Sequence, residues 1–459
     1  MKRMGSSMKK VFTPAAKVIN VILMVTPFLL CWFFYYEPRT MTVNSAQVSV
    51  ILIALYCMAY YYLARRLDGF RLQIAQVRDL AFGQIIAVAA TDCATFLIIW
   101  MLSVHFPNMW PGLAAFAAQC VLSVMWAMTA HKLYFKTHPP LKSVVVYDVR
   151  QGMENLISEY GLETRYEITD TYPVEKVVEN LHLLDGNKEV FICGIHSQDR
   201  NTIVKYCLSN NIRTLVIPRV GDVIMSSAEP MHMLHLPIMD CRRCHPSTEY
   251  RVLKRAVDML VSGAALVVLS PLMLVTAIAI KSDGGPALYK QVRLTKDGRK
   301  FKILKFRSMR VDAEKYSGAV LSAGEHDPRI TKVGRVIRAC RLDELPQLIN
   351  ILKGDMSLVG PRPERPEIAA EYEKELPEFS LRLQVKAGLT GYAQVYGKYN
   401  TTPYDKLLMD LTYIAKPSLL EDMCIMLATL KILTSKESTE GVGEEKAELR
   451  YEVRDKAAG

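Results

Sequence analysis

A dense and regularly spaced framework of cysteines is missing from this sequence. Its ten cysteines are scattered, and several lie inside apolar runs, where cysteine behaves as a small hydrophobic residue: Cys31, Cys57, Cys93 and Cys120. A secreted domain held together by disulfides would carry a denser and more regular set. The sequence therefore predicts reduced thiols in a protein that faces the cytoplasm.

A glycine-rich phosphate-binding loop is also missing. Short β-rich runs (SVVVYD, YEITD, EVFICG and RTLVIP) alternate with helix-like segments, which predicts a small α/β domain with a parallel sheet over residues 141–240. Gly152 follows the first predicted strand, but no G-x-G-x-x-G accompanies it. We therefore expect a Rossmann-like domain without a catalytic dinucleotide site. The motif CRRCH at residues 241–245 lacks a second pair of zinc ligands, so an incidental pair of thiols is expected there.

Acidic residues are fewer than basic ones. The chain has 46 Asp and Glu against 57 Lys and Arg, a formal net charge of +11, which favours anionic partners such as phosphates or lipid headgroups. Its 459 residues are too many for one ordinary domain. Because 50% of the residues are hydrophobic while 22% are charged, we expect a membrane portion joined to soluble portions.

Basic residues are nearly absent from two of the loops between four apolar stretches. The stretches are residues 18–36, 46–64, 82–104 and 111–131. Each has about the 20 residues that a helix needs to cross a bilayer. The loops after the first and third stretches contain a single basic residue, Arg39, so the positive-inside rule places the N-terminus and everything after the fourth stretch in the cytoplasm. Residues 1–136 are thus predicted to form a four-span transmembrane domain. Within it, Asp92 is either a functional group or a hydrogen-bonding group that faces the other helices.

A fifth apolar segment, residues 256–280, is also long enough to cross a bilayer. Crossing would export residues 281–310, which are dense in lysine and arginine. Pro271 removes a backbone donor, and Ser270 can offer its hydroxyl to the carbonyl left without a partner, that of Val267. We therefore expect residues 251–281 to form a helix that breaks at Ser270 and Pro271 and re-enters on the same side. An ordinary proline-kinked span is the alternative.

Two adjacent carboxylates, Asp343 and Glu344, stand at the predicted start of a helix in RLDELPQLIN. A carboxylate can attack phosphorus and form an acyl phosphate, and its neighbour can hold Mg²⁺. The planar fork of arginine matches phosphate oxygens, and arginines flank the pair on both sides, among them Arg338, Arg341 and Arg362. Helix capping is the alternative, because acidic residues at a helix start complement the macrodipole and Pro346 suits a first turn.

Residues 251–435 resemble the catalytic domain of the monotopic polyprenyl-phosphate phosphoglycosyl transferases, bacterial sugar transferases that initiate capsule and exopolysaccharide assembly. The stretches that carry this resemblance are LKRAVD (253–258), LSPLMLVTAIAIK (269–281), KFRSM (305–309), LDELPQLINILKGDMSLVGPRP (342–363) and GLTGYAQVYG (388–397). The four apolar stretches and the α/β domain resemble the long-form members. One departure follows the last stretch, where Lys398, Tyr399 and Asn400 replace the Arg-Asn of many relatives. We therefore assign no sugar or uridine contacts there.

The resemblance implies a two-step reaction. A nucleoside diphosphate-sugar gives its phosphosugar to the aspartate of the pair and releases the nucleoside monophosphate; polyprenyl phosphate then takes the phosphosugar. By motif, Asp343 is implied to be the nucleophile, Glu344 the Mg²⁺ ligand, and Arg338 and Arg362 phosphate contacts. Ser270 and Pro271 match the family's helix break. We add Arg341 to the phosphate-binding group because it lies beside the pair.

The expected fold is a multidomain membrane α/β protein. It comprises a four-helix transmembrane bundle, the Rossmann-like domain, a mostly α catalytic domain over residues 246–435 that is anchored by the re-entrant helix 251–281, and a charged tail, 436–459.

The expected partners are a UDP-sugar, polyprenyl (undecaprenyl) phosphate and the bilayer but not nucleic acid, and a homo-oligomer is left open. The expected location is the cytoplasmic face of the bacterial inner membrane. The alternative is a membrane-anchored sensor or scaffold that binds anionic lipid without catalysis.

Overall fold

A computed structural model describes residues 6–40, 45–148, 150–233, 235–244, 246–310, 329–397, 401–433 and 450–451. The chain divides into two compact units: Met1–Ile217 with Lys446–Gly459, and Pro218–Glu445. Three features singled out in the sequence lie wholly or largely outside the described residues: His245 of the CRRCH motif, the departure at 398–400 and the tail 436–459.

Long apolar helices open the first unit, as the apolar stretches predict. They are α1 (Ser6–Cys31), α2 (Ser45–Arg66), α3 (Val77–Leu102) and α4 (Trp110–Thr137), and α1 continues into a π-helical turn, Trp32–Tyr36. Of the described helices, these four and one in the second unit are long and apolar enough to cross a membrane. The prediction of several apolar helices at the N-terminus is confirmed.

Asp92 of α3 faces the neighbouring helices. The Tyr56 hydroxyl of α2 donates to Asp92 Oδ1 at 2.7 Å. Gln119 Nε2 of α4 donates to that same hydroxyl at 2.8 Å and to the Met24 carbonyl of α1 at 2.7 Å. One polar chain therefore joins all four helices, and such bonds help to fix helix pairing where the surroundings are apolar. These contacts favour the hydrogen-bonding interpretation of Asp92.

The rest of the first unit is a parallel α/β layer. Its strands β1 (Leu141–Tyr147), β3 (Tyr166–Pro173), β4 (Glu189–Cys193) and β5 (Arg213–Ile217) pair in parallel in the order β3-β1-β4-β5. The other elements are β2 (Arg150–Gln151), α5 (Met153–Glu159), α6 (Val174–Glu179), α7 (Ser197–Ser209) and β12 (Arg450–Tyr451), which pairs with β2. Four consecutive residues of β1, Ser143 to Val146, are buried, as expected where a parallel sheet is covered on both faces. The predicted parallel α/β region is confirmed.

The second unit is mostly helical. It contains α8 (Val220–Ser226), β6 (Glu229–Met233), β7 (Leu236–Asp240), α9 (Thr248–Ser282), β8 (Leu288–Leu294), β9 (Lys300–Phe306), α10 (Lys332–Ala339), α11 (Gln347–Lys353), β10 (Ser357–Val359), α12 (Pro366–Glu375), β11 (Gly388–Thr390), α13 (Tyr392–Tyr396), α14 (Pro403–Ala415) and α15 (Leu419–Leu433). Strands β6 and β7 pair antiparallel, as do β8 and β9, whereas β10 and β11 pair in parallel. The sequence grouped residues up to 240 with the α/β domain. Val220 and Val223 of α8 instead pack into the core of the second unit, which also contains Ile351, Leu407 and Ile425.

The long apolar helix α9 has one face against the second unit along most of its length. The buried and half-buried positions on this face recur at intervals of three and four residues: Asp258, Ser262, Ala265, Leu266, Met273, Thr276, Ala277 and Ile280. The other faces leave large apolar side chains uncovered, including Val267 (75% exposed) and Val268 (74% exposed). Because an exposed apolar surface of this extent marks an interaction site, these faces are suited to lipid.

Helix α9 continues through the position where the sequence predicted a break. The helix is assigned without interruption from Thr248 to Ser282, with Pro271 inside it. The Ser270 hydroxyl donates to the Val267 carbonyl at 2.7 Å. Since Pro271 has no N–H to give that carbonyl, the serine replaces the missing helical hydrogen bond. The predicted hydroxyl bond is confirmed, but the helix is not divided into two.

Candidate active site

The carboxylate pair lies on a tight turn between α10 and α11. Asp343 and Glu344 belong to a single-turn 3₁₀ helix, Leu342–Glu344, and α11 begins only at Gln347. The turn is entered through Arg341, whose φ of 55° is in the left-handed region. That conformation costs an ordinary residue about 1–2 kcal/mol. Such strain persists only where the surroundings impose it, and it is concentrated at functional sites. The sequence placed the pair at a helix start and did not predict this turn.

Glu344 is enclosed by cations. Its side chain is 13% exposed, and its Oε1 accepts hydrogen bonds from Lys305 Nζ at 3.2 Å and from Arg362 Nη2 at 3.0 Å. Arg341 Nη1 lies 4.0 Å from Oε2. Burial by itself raises the pKa of Glu344, but attraction to Lys305, Arg362 and Arg341 outweighs it and holds that pKa far below the usual range. Glu344 is therefore ionised throughout the physiological pH range.

Asp343 is shifted in the opposite direction. Burial first, and then repulsion from the Glu344 carboxylate, raise the pKa of Asp343 above its ordinary value. Attraction to Lys305, Arg338 and Arg341 offsets this only in part. Adjacent carboxyl groups whose surroundings drive their pKa values apart are suited to different chemical roles.

A small pocket open to solvent adjoins Glu344 and is strongly basic. Its lining comprises Arg293, Ile303, Lys305, Glu344, Gln347, Arg362, Pro363 and Gly388. Burial lowers the pKa of Arg293 to about 10, so this arginine stays protonated at neutral pH. Cationic side chains around the carboxylate pair outnumber the two acids, so the pocket is suited to a phosphate or diphosphate group.

The predicted site residues fall into two places. Glu344, Arg341 and Arg362 are in direct ionic contact, and Arg338 acts electrostatically on Asp343. Ser270 and Pro271 are instead exposed on α9, in its apolar portion. The structure thus brings the acids and arginines together and leaves the two helix residues elsewhere.

Sequence reasoning missed Lys305, Arg293 and Gln347. Lys305 is one of many cations in its region, so its charge alone does not distinguish it. Its position on β9 could have indicated it. Lys305 lies two residues after Ile303 and four after Phe301, so it shares the core-facing side of the strand with these two buried residues. Gln347 is buried and lies one turn after Glu344, which a helical reading of ELPQ could have indicated.

The donor set suits Mg²⁺ bound together with a phosphate, not a closed protein cage. Among the described residues, no three His, Cys, Asp or Glu side chains cluster as metal ligands. Mg²⁺ is commonly held by one or two carboxylates plus substrate phosphates. Glu344 fits this pattern, because it is ionised and its Oε2 is 4.0 Å from Arg341, whereas Oε1 is taken by Lys305 and Arg362.

Known proteins are similar to the part of the chain that contains the candidate active site. A sequence model of the family "Bacterial sugar transferase" matches residues 249–436. A UDP-glucose:undecaprenyl-phosphate glucose-1-phosphate transferase of Caulobacter vibrioides is 41% identical over 186 residues, which is 39% of this chain and 69% of that protein. The exopolysaccharide production protein PSS of Rhizobium leguminosarum bv. phaseoli is 42% identical over 39% of this chain and 94% of its own length. This chain belongs to the bacterial sugar transferase family.

Other members of the family are longer than the matched region. A UDP-N-acetylgalactosamine-undecaprenyl-phosphate N-acetylgalactosaminephosphotransferase of Aeromonas hydrophila is 41% identical over 41% of this chain and 45% of its own length. The chain thus spans about half the length of several curated relatives that it matches. The named donors differ between relatives, since glucose and N-acetylgalactosamine both occur. The family match covers α9 to α15 and includes every residue of the candidate active site.

Proposed function

We propose that this sugar transferase family member is an enzyme that moves a sugar-1-phosphate from a UDP-sugar to polyprenyl (undecaprenyl) phosphate. The products are a polyprenyl-diphosphate sugar and UMP, in the first membrane step of exopolysaccharide, capsule or O-antigen assembly. The observation that carries this proposal is the carboxylate pair with oppositely shifted pKa values, of which Glu344 lines a basic pocket. The names of the relatives support the substrate classes.

The first step forms a bond between Asp343 and phosphorus. An oxygen of the Asp343 carboxylate attacks the phosphorus that carries the sugar, and the bond from that phosphorus to the bridging oxygen breaks, so UMP leaves with the bond's electron pair. Lys305, Arg362 and Arg293 neutralise the phosphate oxygens, which lowers the barrier to attack by an anion. The product is an acyl phosphate that joins Asp343 to the sugar phosphate.

The second step regenerates the enzyme. A phosphate oxygen of polyprenyl phosphate attacks the same phosphorus, and the bond to Asp343 breaks. The aspartate leaves as a carboxylate, so no water or external proton is consumed. Because the two substrates use the site in turn, the soluble donor and the lipid acceptor need not bind together.

We assign Glu344 the role of orienting the cationic side chains of the pocket. Its low pKa keeps it anionic, so it holds Lys305 and Arg362 in place between turnovers. Mg²⁺, when bound by Glu344, would supply a Lewis acid to the phosphate oxygens. Arg338 and Arg341 oppose the rise in the pKa of Asp343 and therefore keep a larger share of it in the attacking, ionised form.

Helix α9 supports membrane attachment from one side, with the active site at headgroup depth on the cytoplasmic face of the inner membrane. Residues near both of its ends contact the second unit: Asp258 Oδ1 accepts from Leu358 N at 3.0 Å, and Arg307 Nη2 donates to the Ile280 carbonyl at 3.1 Å. A helix that crossed a bilayer alone would carry its two ends to opposite sides. The thiol introduced by Asp283→Cys should therefore react with an impermeant maleimide only from the cytoplasmic side. Reaction of this thiol from the outer side would contradict the attachment.

The deciding experiment measures UMP. Purified full-length protein in lipid nanodiscs is incubated with Mg²⁺, undecaprenyl phosphate and each of several UDP-sugars. We expect UMP release with one or two donors, loss of release in Asp343→Asn, and retention in the control Asp355→Asn, an aspartate paired with Arg299 outside the pocket. Without acceptor, about one UMP per enzyme should appear. Full turnover by Asp343→Asn, or a phosphosugar adduct on another peptide, would refute the nucleophile assignment. Absence of UMP release with every donor would favour a non-catalytic scaffold.

A further inference from the structure

The segment 361–364, which carries Arg362, is held in place by hydrogen bonds to its main-chain carbonyls. Residues 361–364 form neither helix nor strand, yet each of their four carbonyl oxygens accepts a hydrogen bond from another segment of the second unit, two of them from β8. In chain order, the donors are Gly388 N at 2.9 Å, Arg382 Nη2 at 3.0 Å, Arg293 Nη1 at 3.1 Å and Leu294 N at 3.0 Å. Two of the four are arginine side chains. A segment with two prolines, which lack N–H groups, is thereby fixed from outside.

Arg382 is itself immobilised. Its side chain is 3% exposed, and its guanidinium bonds Asp410 Oδ2 through Nε at 2.9 Å and Nη2 at 2.6 Å. Asp410 is 1% exposed, and the Arg382 guanidinium also lies 4.9 Å from the Phe379 ring centroid. Charge-assisted bonds of this geometry leave the arginine little freedom to rotate.

A contribution to stability does not readily explain why Arg382 and Asp410 form a buried ion pair. Replacing a buried ion pair by apolar residues of similar volume is often neutral or stabilising, because desolvation offsets the attraction. What the pair does supply is orientation, since Arg382 Nη2 contacts the carbonyl of Arg362 itself. The Arg362 side chain is 42% exposed and ends 3.0 Å from Glu344, so its reach into the pocket depends on where its main chain is held.

We propose that Arg382 and Asp410 are positioning residues that act on phosphosugar transfer through Arg362. This inference rests on the proposed function, because Arg362 matters only if the pocket binds phosphate. Asp410 orients Arg382, Arg382 fixes the Arg362 carbonyl, and the Arg362 guanidinium then meets both Glu344 and the donor diphosphate. Small misplacements of a binding group can cost up to about 100-fold in rate.

A double-mutant cycle tests the path through Arg362. The rate of UMP release is measured in single turnover without acceptor for wild type, Arg382→Met, Arg362→Met and the double variant. We expect Arg382→Met to slow the wild-type enzyme by about 10- to 100-fold. In the Arg362→Met background it should cost less than about twofold, because residues that act through one group are not additive. Equal effects in both backgrounds, or a wild-type rate for Arg382→Met, would overturn the proposal.

A second variant keeps the test informative if Arg382→Met does not fold. Asp410→Asn preserves the shape of the side chain and removes its charge, and the same cycle with Arg362→Met is expected to be non-additive. Asp422→Asn is the matched control, because Asp422 is also buried (4% exposed) and accepts hydrogen bonds from Lys254 and Tyr413 away from the pocket. It should leave UMP release unchanged while lowering the melting temperature. A wild-type enzyme that releases no UMP would instead overturn the proposed function.

Discussion

Neutralising the two neighbouring carboxylates should change stability in opposite directions. The pKa of Asp343 is raised in the folded state, so folding favours its protonated form, and at neutral pH its charge is held at a cost. The stability that protonated Asp343 contributes is present below the pKa of this group in the unfolded chain, and it is lost as pH rises through its pKa in the folded protein. Glu344 is the reverse case, because its pKa is lowered in the folded state. Ionised Glu344 contributes stability above its pKa in the unfolded chain, and this stability is lost only as pH falls through its pKa in the folded protein. Asp343→Asn should therefore stabilise the second unit at pH 7, and Glu344→Gln should destabilise it.

The size of the Glu344→Gln effect follows from its two close partners. A hydrogen bond to a charged group contributes about 1.5–3 kcal/mol against about 0.5–1.5 for a neutral one, and Gln still offers one acceptor oxygen. The Arg362 side chain is 42% exposed, so its pair with Glu344 is discounted for solvent screening. A net loss of about 1–2 kcal/mol remains, which lowers the melting temperature of a unit of this size by about 2–8 °C.

Thermal unfolding measures both variants. Wild type, Asp343→Asn and Glu344→Gln are melted without substrate in the same detergent, at one scan rate, at pH 7 and at pH 5. The gain of Asp343→Asn should be smaller at the lower pH, because the raised pKa makes the wild-type aspartate more readily protonated as pH falls. Two variants with melting temperatures shifted in the same direction would refute the assignment of opposite electrostatic environments.

Three further predictions follow from the site and from α9. Adduct formation should fall with decreasing pH through the raised pKa of Asp343, hence at a higher pH than for an ordinary aspartate near 3.9, as rapid-quench assays of UMP release from pH 4.5 to 8 can show. Chelation of Mg²⁺ should abolish UMP release and leave the substrate-free melting temperature unchanged, because the described residues contain no three-ligand metal cluster. Ser270→Ala should cost about 0.5–1.5 kcal/mol in thermal unfolding, because the Val267 carbonyl loses its hydroxyl donor.

Each of these has a contrary outcome and a control. An acid limb that persists unchanged when Arg338 and Arg341 are both replaced by Met would contradict the assignment to Asp343, since losing those cations should move the limb to higher pH. A large fall in melting temperature on chelation would indicate a structural metal. Ser270→Thr should restore the stability lost in Ser270→Ala. Ser282→Ala serves as the control because its hydroxyl bonds the Ala279 carbonyl at the helix end, where Ser282 itself supplies the backbone N–H.

The local architecture could be predicted from the sequence where a single element carries its own signal. The strands of the α/β region were found because each is a short β-rich run with helix-like neighbours, and β1, β3, β4 and β5 fall on those runs. The hydrogen bond from Ser270 to Val267 was predictable because the proline and its orphaned carbonyl are four residues apart. Both predictions needed only nearby residues.

The active site could be predicted only in part, because most of its contacts are long-range. The acids and flanking arginines stood out by proximity in the chain. Lys305 and Arg382 did not, since their partners Glu344 and Asp410 are far away in sequence. The left-handed Arg341 also escaped prediction, because glycine or asparagine normally marks that conformation. Tertiary contacts impose it on an arginine here, which no local pattern reveals.

The apolar helix α9 is connected at both of its ends to the elements around the carboxylate pair. Near its start, Arg255 donates to the Ile351 and Leu352 carbonyls at 2.6 and 2.7 Å, in the last turn of α11, the helix that follows the carboxylate pair. Near its end, Arg307 bonds the Ile280 carbonyl, and Arg307 directly follows β9, which carries Lys305. The two elements that flank Glu344 are therefore attached to one helix. If α9 attaches the second unit to the membrane as proposed, the depth of the proposed active site and its internal geometry cannot vary independently.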